Sequence, residues 1–264
     1  DGRTGDFRQL SDQKNQLVVI KEFSKTYYLA AGEGDPQGEM PLTLLMTRII
    51  EVATLHANSW GVGYARLIRD NHVWVLSRVT IEVTAFPKVN TNYTLTTWIE
   101  DYNRHFSQRN MRLDDADGNP LGYVRTIWMV IDMSTRAGMD ISQLQYIREN
   151  VSDLPCPIEP MSRLRPIEQG HAVDYTFGYM DCDFNRHVNT VRYLSLLMNL
   201  FDMDCYDHYF IRRMEISFIK ETRYGETAQF VIDDSDPLDS RMSITDADGN
   251  DHVRAHFLWQ QRVL

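Results

Sequence analysis

The chain has 264 residues, 43% hydrophobic and 24% charged, with a formal net charge of -10 at pH 7. That is enough for one large core or two of ordinary size, and the negative balance argues against general nucleic-acid binding. No apolar run approaches the ~20 residues of a membrane-spanning helix. The three scattered cysteines, Cys156, Cys182 and Cys205, lack metal-ligand spacing and suit a reducing compartment better than a disulfide framework.

Residues 1–16 are polar and lack the apolar stretch of a signal peptide, so a cytoplasmic location is expected. Residues 1–17 read as frayed. Val18 to Ala30 reads as a strand, and Gly32-Glu33-Gly34-Asp35-Pro36 as a turn. Pro41 opens a helix to about Asn58, with Thr43, Thr47, Glu51 and Thr54 on one stripe and Leu42, Leu45, Ile49 and Val52 on another; Gly61 and Gly63 end it. Strand-like stretches follow at 72–86, 93–100, 106–114 and 121–132, with turn chemistry at Asp117-Gly118. Pro155, Pro157, Pro160 and Pro166 mark a linker. The order then repeats: a strand from Val173 to Tyr179, a polar segment, a helix over 189–202, and strands near 209–222, 226–233, 240–246 and 251–262.

The repeat is visible in residues. Asp115-Ala116-Asp117-Gly118-Asn119 recurs as Asp246-Ala247-Asp248-Gly249-Asn250, and Arg78-Val79-Thr80-Ile81 matches Arg213-Met214-Glu215-Ile216. Units this long point to duplication rather than a solenoid. Each is a strand, a long helix and four more strands, an α+β arrangement in which a curved antiparallel sheet wraps a helix. The expected division is a first unit over 18–140, a linker over 141–170 and a second unit over 171–264.

The halves differ where chemistry would sit. The second carries Asp183, Asn185 and His187 just before a helix; a loose alignment sets them against Asp35, Gln37 and Glu39. Read as extended, 183 to 187 turns the three side chains to one face. The helix behind them has an apolar stripe of Val188, Val191, Leu194, Leu197, Met198 and Phe201, and its N-terminus offers N–H groups and a positive dipole. These residues suit acyl chemistry; they are equally a helix cap with a surface histidine. Glu221 falls where the first half has Phe86, and reads either as a site residue or as an ordinary surface ion pair.

The run Asp183-Phe184-Asn185-Arg186-His187-Val188-Asn189-Thr190-Val191-Arg192-Tyr193 resembles the signature of the acyl-acyl carrier protein thioesterases, of the plant FatA/FatB type and their bacterial relatives, a pattern close to D-x-N-x-H-V-N-N-x-[KR]-Y. Glu51 to His56, Asn71 to Arg78 and Trp128 to Arg136 resemble further family segments, and the likeness covers about residues 20–262. It implies a double hotdog fold and release of free fatty acid from acyl-acyl carrier protein. The partner implied is the acyl carrier protein with its acyl-phosphopantetheine; no cofactor and no metal are implied. The family's Asp, Asn and His fall on Asp183, Asn185 and His187, and its strand glutamate on Glu221. The cysteine that follows that glutamate in the plant proteins is Thr222 here, so a cysteine nucleophile there is excluded; Cys182 and Cys205 read as packing residues.

Thioester hydrolysis needs an activated water, and no G-x-S-x-G elbow supports a serine route. Glu221 and His187 are both candidate bases. Asp183 would orient His187 as an acid does beside a triad imidazole. Asn185 would position the water or the carbonyl, and the backbone N–H groups of Val188 and Asn189 would hold the oxyanion. The resemblance puts chain-length control on the first half, with Leu45, Met46, Ile49 and Ile50 as tunnel candidates, each also an ordinary core residue. Trp74, Trp98 and Trp128 read first as core or sheet-face residues. Arg104, Arg109, Arg112, Arg125 and Arg136 form one candidate basic patch for docking, and Arg212, Arg213, Lys220 and Arg223 another. The alternatives are an acyl-CoA thioesterase, a non-enzymatic hotdog sensor of acyl ligands, and a hotdog dehydratase. The internal pseudo-dimer allows a monomer or a homodimer.

Overall fold

A computed structural model describes residues 19–61, 63–142, 144–167 and 170–263; the expectation for 1–17 lies outside them. In chain order the elements are β1 (Glu22–Tyr28), α1 (Leu42–Ser59), α2 (Tyr64–Leu67), β2 (His72–Val83), β3 (Asn92–Tyr102), β4 (Ser107–Asp114) and β5 (Pro120–Asp132). After α3 (Gln145–Glu149) come β6 (His171–Thr176), α4 (Thr190–Met198), α5 (Met203–His208), β7 (Tyr209–Phe218), β8 (Thr227–Asp236), β9 (Asp239–Thr245) and β10 (Asp251–Gln261). Among the described residues no helix is long and apolar enough to cross a membrane.

The strands form one ten-stranded sheet in the order β1-β3-β4-β5-β2-β7-β10-β9-β8-β6. Each half has the same internal order, and the halves meet where β2 pairs antiparallel with β7, from Arg78 opposite Ser217 to Glu82 opposite Arg213. The long helices α1 and α4 pack against each other. Leu45, Met46, Ile49 and Val52 of α1 join Leu194 and Leu197 of α4, and Val79, Ile81, Met214 and Ile216 of the two central strands, in one fully buried cluster. The expected α+β fold, two tandem units of long helix and antiparallel sheet, is the one observed.

The duplicated pentapeptide folds alike in both copies. Asp115 N donates to Asn119 O (2.9 Å), and Asp246 N to Asn250 O (3.0 Å). Gly118 and Gly249 sit at φ 84° and 80°, where a side chain would be strained.

Several element boundaries differ from the sequence reading, two of them near the polar segment. The helix expected over 189–202 stops at Met198, although Leu200 and Phe201 prolong the apolar stripe. Tyr206 donates its hydroxyl to the Met198 carbonyl (2.8 Å), and Asp202 caps the separate α5 by accepting from Cys205 N (2.8 Å). The strand expected over 209–222 ends at Phe218, where Ile219 N and Lys220 N both turn onto His252 O (2.8 and 3.1 Å). Glu221 therefore lies beyond the ladder.

Arginines of the sheet pin the segment between the halves. Arg125 donates to Ile158 O (2.8 Å) and Cys156 O (2.7 Å), and Arg213 to Glu159 O (3.0 Å) and Pro160 O (3.1 Å). Glu215, 2% exposed, accepts from Ser162 N (3.1 Å) and from Arg213 Nη2 (2.6 Å). Burial pushes the Glu215 carboxyl up, but hydrogen bonds from His256, Ser162 and Arg213 outweigh it and hold it at about 2. Its contribution is therefore present above the unfolded value of about 4.5 and is lost as pH falls through 4.5 toward 2. Glu215→Gln, which leaves Arg213 without this buried carboxylate, should cost about 3 kcal/mol in denaturant unfolding near neutral pH. It should also shallow the acid limb of the stability curve.

Candidate active site

The polar segment before α4 is a tight turn, not the extended stretch expected. Asp183 N donates to His187 O (2.8 Å) and Arg186 N to Asp183 O (3.0 Å), with Arg186 at φ 64°. The Asp183 carboxylate accepts from Asn185 N (2.8 Å) and His187 N (3.4 Å), and Asn185 Nδ2 lies 3.4 Å from it. It therefore holds the loop backbone rather than the His187 ring, which corrects the triad-like role given to it.

The oxyanion assignment also fails on geometry. Val188 N donates to Thr222 O (2.8 Å) and Asn189 N to Asp181 O (2.8 Å), so neither N–H is available. Asn189 serves as the N-cap of α4, its side chain accepting from Val191 N (2.8 Å). The bond from Val188 to Thr222, with the bridge between His187 and Arg223, fastens the loop to the chain that follows β7. It brings His187 Nε2 within 3.5 Å of Glu221 Oε2, both side chains being partly exposed.

The other oxygen of Glu221 is bound by Arg136, from the first half of the chain. Arg136 follows β5 at φ 60° in a turn built on Asp132, whose carboxylate accepts from Ser134 N (2.9 Å), Thr135 N (2.7 Å) and Asn71 Nδ2 (3.2 Å). Sequence reasoning placed Arg136 in a docking patch and missed this role. Burial, then the positive charges of Arg136 and Arg223, push the His187 pKa below its ordinary value, against Asp183 and Glu226. His187 is therefore neutral at pH 7.

A cavity of about 160 Å³ lies under α1, lined by Ile50, Ala53, Ala57, Trp74, Ile99 and Trp128 among others. Ile50, Ala53, Thr54 and Ala57 stand at the spacing of one helix face. Of the four tunnel candidates, Ile50 lines this cavity; Leu45, Met46 and Ile49 are core residues on the neighbouring face, fully buried against the centre of the fold. Trp74 and Trp128 prove to be cavity walls, whereas Trp98 packs on Cys156 and Ile158. Tyr64, another wall residue, meets the ring of Phe184 edge-on at 5.9 Å, which sets the cavity beside the Asp183 loop.

Residues 20–146 match the model of the acyl-ACP thioesterase N-terminal domain and residues 164–261 that of the C-terminal domain. The chain belongs to the acyl-ACP thioesterase family. It is 23% identical over 238 residues to oleoyl-acyl carrier protein thioesterase 2 of Arabidopsis thaliana, a match covering 79% of this chain and 63% of that protein. The chain spans less than two thirds of the length of the plant relatives it matches. Among solved structures, an acyl-ACP thioesterase from Bacteroides thetaiotaomicron superposes with a TM-score of 0.83 at 30% identity, covering 91% of this chain and 98% of that one. The 12:0-ACP thioesterase from Umbellularia californica superposes at 0.81 with 17% identity, covering 93% and 99%.

The first half of the chain has the same loop, with a different residue at the position of His187. Asp35 N donates to Glu39 O (2.9 Å), and the Asp35 carboxylate accepts from Gln37 N (3.0 Å) and Glu39 N (2.9 Å), as at Asp183. Met40 N donates to Pro87 O (2.9 Å) as Val188 does to Thr222. Glu39, where the second half has His187, is buried and ion-paired with Lys88 and with Arg262 (2.7 Å).

The remaining candidates resolve locally. Thr222 is buried, its hydroxyl within 2.6 Å of His252 Nδ1. Burial and then neighbouring aspartates push both Cys182 and Cys205 up, so they are thiols at neutral pH. Most members of the two basic groups are held by carboxylates or buried, Arg223 being exposed without an ion pair among the described residues: Arg104, Arg112, Arg125 and Arg136 pair with Asp140, Asp114, Glu100 and Glu221, and Arg109 is buried. Arg212 and Arg213 pair with Glu82, and Lys220 with Asp246.

Removing one of the two cations that depress His187 must raise its pKa. Arg136→Met should therefore move the acid limb of a pH–kcat/KM profile toward higher pH and lower the plateau by about tenfold or more. Cys182→Ala and Cys205→Ala should leave turnover within about twofold of wild type, measured in the same assay.

Proposed function

We propose that the chain hydrolyses acyl-acyl carrier protein thioesters, with a water activated at His187 beside Glu221. The observation that carries this reading is the approach of His187 Nε2 to Glu221 Oε2, 3.5 Å apart, beside an apolar cavity. A neutral imidazole is a better matched base near pH 7 than a carboxylate held by an arginine. In this proposal His187 takes a proton from water as its oxygen attacks the thioester carbonyl carbon. The Glu221 carboxylate, fixed by Arg136, stabilises the imidazolium that forms. Collapse of the tetrahedral intermediate breaks the C–S bond, and the imidazolium returns the proton to the leaving thiolate. Asn185 is the side chain we assign to the carbonyl oxygen, in place of the occupied N–H groups of Val188 and Asn189. Asp183 keeps the loop that presents both residues.

The division of labour is part of the proposal. A first unit over 18–140 houses the acyl chain, a linker over 141–170 follows, and a second unit over 171–264 carries catalysis apart from Arg136. The matches of the two family models to the two parts of the chain support the split into two units. The partner is the carrier protein with its acyl-phosphopantetheine arm. A cytoplasmic setting belongs to the same reading, supported by three free cysteines, which suit a reducing compartment.

Thiol release from an acyl series of graded length, presented on carrier protein and on CoA, tests the function. Faster release from carrier protein is expected; equal or faster release from CoA would make the chain an acyl-CoA thioesterase. His187→Ala and Glu221→Gln should each lower kcat by on the order of 10²-fold with unchanged circular dichroism. Full activity in both would remove the proposed centre.

A further inference from the structure

Arg109 on β4 has an unusual setting. It lines the cavity under α1 and is 6% exposed. Its Nη1 donates to His56 Nδ1 (2.7 Å) and to Thr97 Oγ1 (3.1 Å). Because His56 accepts at Nδ1, its proton is on Nε2, which donates to the Ile20 carbonyl (2.6 Å). His56 is therefore neutral, and burial followed by the charge of Arg109 holds its pKa at about 3. None of these partners carries a negative charge.

The contrast with Arg213 is instructive. That side chain is buried to a similar degree and pairs with both Glu82 and Glu215. No carboxylate pairs with Arg109 among the described residues, and its Nε and Nη2 groups have no protein acceptor there. A guanidinium does not shed its proton in a protein, and a buried charge without a counter-charge is strongly unfavourable. The ring of Trp60, with the guanidinium carbon 5.6 Å from its centroid, supplies a weak attraction only. The indole N–H groups of Trp60 and Trp74, two further wall residues, also lack partners among the described residues. Among the described residues, Arg109, Trp60 and Trp74 thus bring donors without a protein acceptor to the wall of this largely apolar cavity.

We infer that the cavity accepts an acyl chain bearing a hydrogen-bond-accepting oxygen, a hydroxyl, keto or carboxylate group, set against Arg109. A plain hydrocarbon chain would displace any water from the guanidinium and return nothing to it. An oxygen at the right carbon would complete the free N–H groups with charge-assisted hydrogen bonds. Arg109 is then a specificity-determining residue of the acyl pocket, an inference that rests on the thioesterase reading and names its substrate class.

The test is the ratio of kcat/KM between acyl-carrier-protein substrates of matched chain length, one plain and the others bearing a hydroxyl or keto group at the β-carbon, or a hydroxyl or carboxyl at the far end. Wild-type enzyme should favour at least one oxygenated chain by about tenfold or more. Arg109→Met should bring that ratio to about one or below, and Arg109→Lys should retain part of it. A wild-type preference for the plain chain over every oxygenated one would overturn the inference, whether or not the Arg109 variants fold. If no chain is hydrolysed, the thioesterase reading fails first. The inference is then decided by quenching of tryptophan fluorescence with non-hydrolysable amide analogues of the same chains, where tighter binding of an oxygenated analogue sustains it and tighter binding of the plain one overturns it.

Discussion

The pairing of β2 with β7 is the contact on which the rest of the molecule depends. Each half alone is a helix on a five-stranded sheet with an open edge, a poor object to leave in water. Five residue pairs close that edge, and Glu82 of the first half ties to Arg212 and Arg213 of the second. The same pairing sets the two halves in a fixed relation. That is why a turn following β5 can deliver Arg136 to a glutamate that follows β7. His187 and Glu221 both belong to the second half; the charges around them come from both halves.

One loop geometry recurs in the two halves with different residues at its end. At 35–39 and at 183–187 an aspartate accepts from the backbone of the following turn, and the next residue is fastened to the chain after a central strand. In the first copy the residue facing that chain is Glu39, neutralised by Lys88 and Arg262. In the second it is His187, facing Glu221 while Arg136 occupies the other carboxylate oxygen. One position is a buried ion pair and the other a partly exposed imidazole whose proton affinity is depressed by burial and nearby cations. A base poised near neutrality requires that second arrangement.

Much of this was legible in the sequence because it rests on local rules. The alternation of the strands, the apolar stripe of α1 and the recurring Asp-Ala-Asp-Gly-Asn turn are written in consecutive residues. The four polar residues of the site stood out because the first half lacks most of them. What stayed hidden depends on distant partners. Whether Val188 and Asn189 have free N–H groups is decided by Thr222 and by a carbonyl at Asp181, not by their place at a helix start. The end of α4 is set by Tyr206, and Ile50 is divided from Ile49 by which neighbour each face of α1 meets. The arginines read as docking patches are mostly held by carboxylates from other strands and turns, pairs that no spacing in sequence reveals.

In the proposed reaction Arg136 acts through Glu221, across the junction of the halves. A double-mutant cycle on kcat/KM with Arg136→Met, Glu221→Gln and both together addresses it most directly. Strong non-additivity is expected: once Glu221 is neutralised, loss of Arg136 should cost little more, leaving the double variant close to Glu221→Gln alone. Independent, multiplying losses would contradict it, and would mean that Arg136 serves the reaction by some route other than the glutamate it holds.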